Sequence, residues 1–213
     1  MPVSEKLQPT RRRFTDESLL DAARDVFVQR GFASAQVIEI AERAGTTKPT
    51  LYARVGDKEE IYLRVLQREA DLLESRLRAA YAESASLSLH ELVVAAVAPV
   101  FRFVAERRDG VILLLRADGG RPDNPVIQRL TSGIREPITE LIAAGFPAEG
   151  AHPTLPSTAA LATVTVGIVL DVARLAVDED RDLDAAAALT VNLIESVYRG
   201  LDLNLVARFD HGS

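Results

Sequence analysis

A short segment of the chain, residues 46–54, concentrates hydroxyl groups and positive charges that one side of a helix could present together. These residues are Thr46, Thr47, Lys48, Thr50, Tyr52 and Arg54. Such side chains donate hydrogen bonds to phosphate oxygens and to the edges of bases. Only Leu51 and Val55 of this segment are predicted to point inward. The segment therefore predicts a surface that contacts nucleic acid.

Two short helices joined by a tight turn are predicted to position this surface. Apolar residues recur at helical spacing from Val37 to Ala44, and Gly45 can adopt the left-handed conformation that ends a helix. Thr46 or Thr47 can then cap a second helix, with Pro49 in its first turn. This layout is a helix-turn-helix, whose second helix enters the major groove of DNA.

Charge is distributed unevenly along the chain. Residues 1–56 contain nine Lys and Arg residues against seven Asp and Glu residues, whereas the whole chain has a net charge of −6. Only the N-terminal part can therefore approach a polyanion without strong repulsion. Arg11, Arg12 and Arg13 precede the first helix and either contact DNA or form a solvated tail. Lys58 either holds a phosphate or is a solvated surface lysine.

The segment from Phe14 to Tyr62 resembles the N-terminal domain of the TetR family of one-component transcriptional regulators. The similarity rests on LLDAARDVFVQRG at 19–31, KPTLY at 48–52 and DKEE at 57–60, and it extends over about a quarter of the chain. Two positions depart from the family pattern. Ala35 replaces the usual threonine, so that either Ser34 caps the next helix or that helix is uncapped. Val55 replaces an aromatic residue that is frequent in the family. The resemblance implies a DNA-binding regulator.

The rest of the chain is predicted to be helical as well. Hydrophobic residues make up 47% of the 213 residues, and no stretch shows sustained alternation with a period of two. We predict an all-α protein of about nine helices. Its parts are a flexible basic arm over 1–13, a three-helix helix-turn-helix domain over 14–60 and a helical ligand-binding and dimerisation domain over 61–213. Caps predict the helix starts at Thr15, Asp57, Ser88, Asp109, Asn124, Ser157 and Asp184.

Composition also indicates where the protein acts. The chain contains no cysteine, and its first 13 residues lack the apolar core of a signal peptide. The longest uncharged apolar run, Thr158 to Leu170, is shorter than the ~20 residues that a bilayer requires. We therefore expect a soluble cytoplasmic protein with no membrane partner.

Catalytic and metal-binding chemistry finds little support in the sequence. His90, His152 and His211 are far apart, and Gly119-Gly120 precedes a turn signal instead of forming a phosphate-binding loop. We predict no catalytic residue, metal or cofactor. A helical-bundle enzyme and an interaction module without DNA binding are the alternatives. The cationic and hydroxyl groups at residues 46–54 favour DNA binding, because an interaction module has no need of them.

The last two predicted helices, over 158–177 and 185–208, are apolar on more than one side. The TetR resemblance implies that they pair with their copies in a homodimer, as a four-helix bundle. A monomeric helical core is the alternative. The predicted interface residues are Thr163, Gly167, Leu170, Leu193, Val197 and Leu201.

The middle helices are expected to enclose an effector pocket. Pro99 and Pro137 lie inside predicted helices, where a proline kinks the axis and can open a space, although either could instead mark a helix break. Candidate lining residues, for which core packing is the alternative, are Phe101, Phe103, Leu115, Arg116, Thr165 and Arg174. Arg174 could also pair with Asp171. We expect a repressor that leaves a palindromic double-stranded operator when a small hydrophobic molecule binds, with Arg116 or Arg174 available for an anionic group.

Overall fold

The computed structural model describes residues 15–81, 88–117, 124–145 and 156–211. The regular structure of these residues is α-helical throughout, without strands, so the all-α prediction is confirmed. In chain order the helices are α1 (Asp16–Ser34), α2 (Val37–Arg43), α3 (Lys48–Val55), α4 (Lys58–Tyr81), α5 (Leu89–Glu106), α6 (Arg108–Ala117), α7 (Pro125–Gly145), α8 (Pro156–Asp178), α9 (Leu183–Arg199) and α10 (Leu203–His211). The chain divides into two compact units between Val65 and Leu66, within α4.

The N-terminal unit is built from α1, α2, α3 and the first residues of α4. Helix α1 packs against α2 and α3, and α2 packs against α3. Its fully buried core residues include Leu19, Ala23, Phe27, Ile40, Leu51, Val55 and Ile61. The rings of Phe27, Phe32 and Tyr62 contact one another, with centroids 4.8 to 6.1 Å apart. This aromatic cluster joins the end of α1 to α4, and burial raises the pKa of Tyr62.

The ends of α1 and α2 show one confirmed cap, one interruption at a glycine and one difference from prediction. Thr15 caps α1, and its Oγ1 accepts a hydrogen bond of 3.2 Å from the backbone N–H of Ser18, as predicted. Gly31 (φ +72°) interrupts α1 without ending it, because a further turn follows as far as Ser34. Of the two alternatives for α2, the Ser34 cap is wrong, because Ser34 is the last residue of α1. Gln36 takes the N-cap position, and its backbone N–H donates to Glu39 Oε2 at 3.2 Å.

Helix α4 begins with reciprocal capping between Asp57 and Glu60, as predicted. The N–H of Glu60 donates to Asp57 Oδ1 at 2.9 Å, and the N–H of Asp57 donates to Glu60 Oε2 at 2.8 Å. Two backbone donors that a helix start would leave unpaired are thereby satisfied.

We expect Asp57→Ala to lower the free energy of unfolding by about 1 kcal/mol, because the cap of α4 is lost. Urea denaturation followed by circular dichroism measures this change. Asp57→Asn is the matched control, since its side-chain oxygen can still accept the bond, and it should retain most of the stability. Equal losses in the two variants would mean that the charge of Asp57, and not its capping bond, stabilises the helix.

The C-terminal unit contains the rest of α4 together with α5–α10. Helix α5 packs against α8 and α9, α7 packs against α8, and α6 contacts both α5 and α8. Pro99 and Pro137 lie inside α5 and α7, as predicted. Ser88 caps α5 and Asn124 precedes α7, again as predicted. These elements enclose a core in which α8 is the central helix.

A buried ion pair joins α4 to the junction of α5 and α6. Glu69 of α4 is fully buried, and Arg107 donates to its Oε2 from Nε at 2.8 Å and to its Oε1 from Nη2 at 2.6 Å. A Cβ atom at Gly110 of α6 would lie only 2.3 Å from Glu69 Oε2. A glycine is therefore needed at this position for α6 to approach the pair.

Three predicted helix starts are wrong by one or two residues. Helix α8 begins at Pro156, so Ser157, its predicted cap, lies in its first turn, where the backbone N–H of Ser157 donates to Asp210 Oδ1 at 2.8 Å. Helix α6 begins at Arg108, so Asp109 lies in its first turn instead of capping it. Helix α9 is capped by Asp182, whose Oδ1 accepts a bond of 2.9 Å from the N–H of Ala185. Asp184, the predicted cap, lies in the first turn. At the starts of α6 and α9 several polar residues follow one another in the sequence. The sequence alone did not show which of them is the N-cap.

The predicted final helix is in fact two helices, so the described residues form ten helices instead of about nine. Helix α9 ends at Arg199, with Gly200 at its C-cap. Helix α10 then begins at Leu203, and Asp202 Oδ1 accepts a bond of 2.9 Å from the N–H of Asn204. A glycine followed closely by a capping aspartate is a stop signal and a start signal in succession.

Helix α8 is apolar enough, by length and composition alone, to cross a bilayer. The sequence analysis did not predict a helix of this length and hydropathy, because it considered only the uncharged run Thr158 to Leu170. Asp171 ends that run, but the helix continues to Asp178. Within the fold, 39% of the most apolar 18-residue window is buried, and the helix packs against α7 and α9. The core helix of a soluble bundle has this same composition, so α8 carries no argument for a membrane.

Candidate DNA-binding surface and ligand cavities

Helix α3 presents the polar residues that the sequence singled out. Leu51 and Val55 anchor it, because both are fully buried. Thr47 is its N-cap, and Thr47 Oγ1 accepts a bond of 3.4 Å from the N–H of Thr50. The two threonine hydroxyls lie 2.9 Å apart. The helix is thus held on one side by two apolar residues, and its opposite side faces solvent.

Lys48 and Tyr52 form a pair on the solvent side of α3. They are four residues apart, and the Lys48 ammonium lies 5.5 Å from the centroid of the Tyr52 ring. Lys48 is exposed and Tyr52 is 41% exposed. The ring attracts the ammonium and limits the positions that it adopts. The pair therefore offers a cation and a phenol hydroxyl close together on an exposed face.

The turn between α2 and α3 has the predicted geometry. Gly45 has φ +66°, a conformation that favours glycine. The backbone N–H of Thr46 donates to the carbonyl of Ala41 at 2.9 Å, and that of Gly45 donates to the carbonyl of Glu42 at 3.0 Å. Thr46 is half-buried. These bonds set the direction in which α3 leaves α2.

Two of the cations predicted to contact DNA have partners within the N-terminal unit. Arg54 Nη2 lies 2.7 Å from Asp16 Oδ1, and Arg64 donates to the Arg54 carbonyl at 3.0 Å. Lys58 donates to the carbonyl of Ala33 at 3.1 Å, with its ammonium 4.8 Å from the Phe32 ring centroid. These contacts were not predicted from the sequence, because the partners are distant along the chain. The predicted arm residues Arg11, Arg12 and Arg13 lie outside the described residues.

A first apolar cavity lies in the C-terminal unit among α5, α7, α8 and α9. It contains about 470 Å³ of empty space, partly open to solvent. Its lining residues are Leu89, Leu92, Val93, Ala96, Ile138, Leu141, Ile142, Thr165, Ile194 and Tyr198. Thr165 was predicted as a lining residue, and its hydroxyl lies 2.9 Å from that of Tyr198. Burial raises the pKa of Tyr198, so its hydroxyl is neutral near pH 7.

A second cavity lies among α4, α5, α6, α7 and α8, with about 590 Å³ of empty space, also partly open. Its lining residues are Leu73, Val100, Phe103, Val104, Val111, Leu114, Leu115, Ile127, Leu130, Thr131, Ile134, Leu170, Ala173 and Arg174. They include the predicted Phe103, Leu115 and Arg174. Phe101 is buried but lines neither of these two cavities. Arg116 is exposed and donates to Asp178 at 2.9 Å.

Helices α8 and α9 together expose an apolar surface, which we call the α8–α9 face. Its large exposed residues are Val164, Leu175, Leu189, Leu193 and Val197. A Cβ atom at Gly167 would meet nothing within 4 Å, and Thr163 is exposed nearby on the same helix. Leu201 is half-buried. Leu170, also predicted for the dimer interface, lines the second cavity.

Comparisons with known proteins identify the family. Residues 19–65 match the tetR family of bacterial regulatory proteins. The chain is also 32% identical over 173 residues to the HTH-type transcriptional activator FasR of Mycolicibacterium smegmatis, an alignment that covers 80% of this chain and 76% of FasR. The chain belongs to the TetR family. It is therefore a DNA-binding transcriptional regulator and not an enzyme.

Solved structures of transcriptional regulators share the fold. A TetR-like regulator from Rhodococcus sp. RHA1 matches with a TM-score of 0.69 and 27% identity, over 92% of this chain and 100% of that one. The FadR regulator of Bacillus subtilis, solved in complex with stearoyl-CoA, matches with a TM-score of 0.71 and 18% identity, over 84% and 97%. The described residues of this TetR-family chain contain no group of three or more His, Asp or Glu residues that could hold a metal ion.

Proposed function

We propose that this TetR-family regulator is a cytoplasmic homodimeric repressor that leaves a palindromic operator when a small hydrophobic molecule binds its C-terminal unit. The observation that carries the proposal is the exposed Lys48–Tyr52 pair on α3, opposite the buried Leu51 and Val55. A helix anchored in this way can enter a major groove. The residues proposed to contact DNA are Arg11, Arg12, Arg13, Thr46, Thr47, Lys48, Thr50, Tyr52, Arg54 and Lys58.

Not all of these residues are equally ready to contact DNA. Lys48, Thr50 and Tyr52 reach solvent from α3 without giving up a strong intramolecular ion pair. Arg54 and Lys58 would have to exchange Asp16 and the Ala33 carbonyl for phosphate oxygens. We therefore assign base contacts to α3 and phosphate contacts to the surrounding cations.

Dimerisation is proposed to occur through the α8–α9 face. Large apolar side chains that are exposed together on two neighbouring helices are the usual mark of a protein interface. A two-fold dimer presents two copies of α3, and two copies read two half-sites about 34–36 Å apart. This arrangement is the reason for proposing a palindromic operator.

A hydrophobic effector is supported by the two cavities, whose walls are almost entirely apolar. The stearoyl-CoA bound to the structurally similar FadR supports the same ligand class. Release from DNA requires that the effector favour a conformation with lower operator affinity. Typical couplings are ~1–3 kcal/mol, which corresponds to a 5–150-fold change in affinity.

Activation of transcription is a second candidate function, because the relative FasR is named an activator. Deletion of the gene, followed by measurement of transcript levels at the bound promoter, separates the two candidates. We expect levels to rise on deletion, and a fall would establish the activator.

We expect aliphatic molecules to stabilise the protein and to release it from DNA. A ligand at a hundred times its dissociation constant should add ~2.7 kcal/mol to the free energy of unfolding. A thermal-shift screen that includes fatty acids, sugars and nucleotides measures this, and gel shifts on the stabilising compounds measure release. If the strongest stabilisers are sugars or nucleotides, or if none weakens DNA binding, the proposed effector class is wrong although the DNA-binding assignment stands.

A further inference from the structure

We propose that Arg174, in the wall of the second cavity, binds the carboxylate of an aliphatic ligand. The site would then select fatty-acid-like anions over neutral molecules of the same length. This inference rests on the proposed function, since it takes the C-terminal unit to be the effector-binding unit, and it adds the group that recognises the polar end of the ligand.

The second cavity offers an apolar interior with one polar group that lacks a hydrogen-bond partner. Among its described lining residues, only Thr131 and Arg174 have polar side chains. The Thr131 hydroxyl already donates to the carbonyl of Ile127 at 2.8 Å. The Nε atom of Arg174 is buried and has no hydrogen-bond partner. Because an unpaired buried donor is costly, a ligand oxygen placed here would satisfy a group that the fold leaves unsatisfied.

The charge of Arg174 is also weakly compensated. Its Nη1 atom lies 4.0 Å from Asp171 Oδ1, which is too long for a hydrogen bond, and Asp171 is exposed. Other arginines of the same unit make close pairs, such as Arg108 with Asp180 at 2.7 Å and Arg116 with Asp178 at 2.9 Å. Arg116, the other arginine considered from the sequence, therefore already has its carboxylate partner.

Arg174 borders both the second cavity and solvent. Its Nε is buried, yet the Arg174 side chain as a whole is 42% exposed. A carboxylate at this position can accept from Nε and from a terminal nitrogen in the paired geometry that arginine favours. The aliphatic chain would then extend inward beside Phe103, Leu114 and Leu170. A single cation in an apolar wall matches a monoanionic carboxylate better than a phosphate dianion.

Isothermal titration of the full-length protein with sodium decanoate and with 1-decanol tests the inference. The two ligands share a chain length and differ in charge. We expect the wild type to bind decanoate at least about tenfold more tightly than decanol, and Arg174→Gln to abolish that preference with an unchanged affinity for decanol. Arg102→Gln is the matched control, because it removes one charge from an exposed position on α5 and should keep the preference.

Each other outcome has a definite meaning. An equal preference in the wild type and Arg174→Gln overturns the role of Arg174 but leaves a hydrophobic effector in place. Binding of neither ligand overturns both this inference and the proposed effector class. Decanoyl-CoA is a third ligand for the same titration. A thioester has no free carboxylate, so if Arg174→Gln weakens binding of decanoyl-CoA as much as that of decanoate, recognition does not depend on a carboxylate and the proposal is wrong.

Discussion

Replacing Lys48 and Tyr52 together by alanine should lower operator affinity by about a hundredfold or more, because each lost base or phosphate contact contributes ~1–3 kcal/mol. The helix should persist, since Leu51 and Val55 anchor it and neither replaced side chain is buried. Gel shifts at a fixed salt concentration measure the affinity. Circular dichroism and sedimentation establish that the fold and the assembly are unchanged.

Two control variants sharpen this experiment. Arg78→Ala removes one exposed positive charge from the C-terminal unit, where it pairs with Glu74, and should leave operator affinity unchanged. Tyr52→Phe keeps the ring beside Lys48 and removes only the hydroxyl, so a partial loss would assign that hydroxyl a direct contact. If the double alanine variant binds the operator as tightly as the wild type, α3 is not the recognition helix.

The helical elements could largely be predicted from the sequence because their signals are local. Asp57 and Glu60 cap each other across three residues, and Thr47 caps α3 through the N–H of Thr50. The turn at Gly45 could be predicted from that residue alone, because glycine readily adopts the left-handed conformation that the structure shows there. A motif of this kind lies within one or two helical turns, so the sequence already contains all of its participants.

Contacts between distant segments could not be predicted in this way. Arg54 pairs with Asp16, and Glu69 pairs with Arg107 beside Gly110, although nothing in the local pattern links these positions. Helical periodicity shows which face of a helix is apolar but not which neighbour covers that face.

Some of the predicted pocket residues line a cavity and others do not, and the cause is the same. Helix α8 is apolar on several sides, so the sequence did not distinguish the side that lines a cavity from the side that is exposed. Leu170 was assigned to the exposed side and lines the second cavity, whereas Thr165 lines the first. Leu73 of α4 lines the second cavity but was not among the predicted lining residues.

Gly167→Arg should convert the proposed dimer into a monomer at micromolar concentration. Within one chain the substitution is tolerated, because a Cβ atom at Gly167 would meet nothing within 4 Å. In the proposed dimer the same position lies on the α8–α9 face, where a long charged side chain would be buried against the apolar residues of the partner. Sedimentation velocity measures the oligomeric state. The affinity for DNA should also fall in the monomer, because a single N-terminal unit contacts only one half-site.

Ala105→Arg is the matched control for this last experiment. It places the same side chain at an exposed position of α5, which is not one of the helices that form the α8–α9 face, and should leave both the dimer and DNA binding intact. Thermal unfolding separates loss of assembly from loss of fold, since Gly167→Arg should remain helical as a monomer. A wild type that sediments as a monomer, or a Gly167→Arg variant that remains a dimer, would show that Gly167 and the surrounding α8–α9 face do not form the subunit interface.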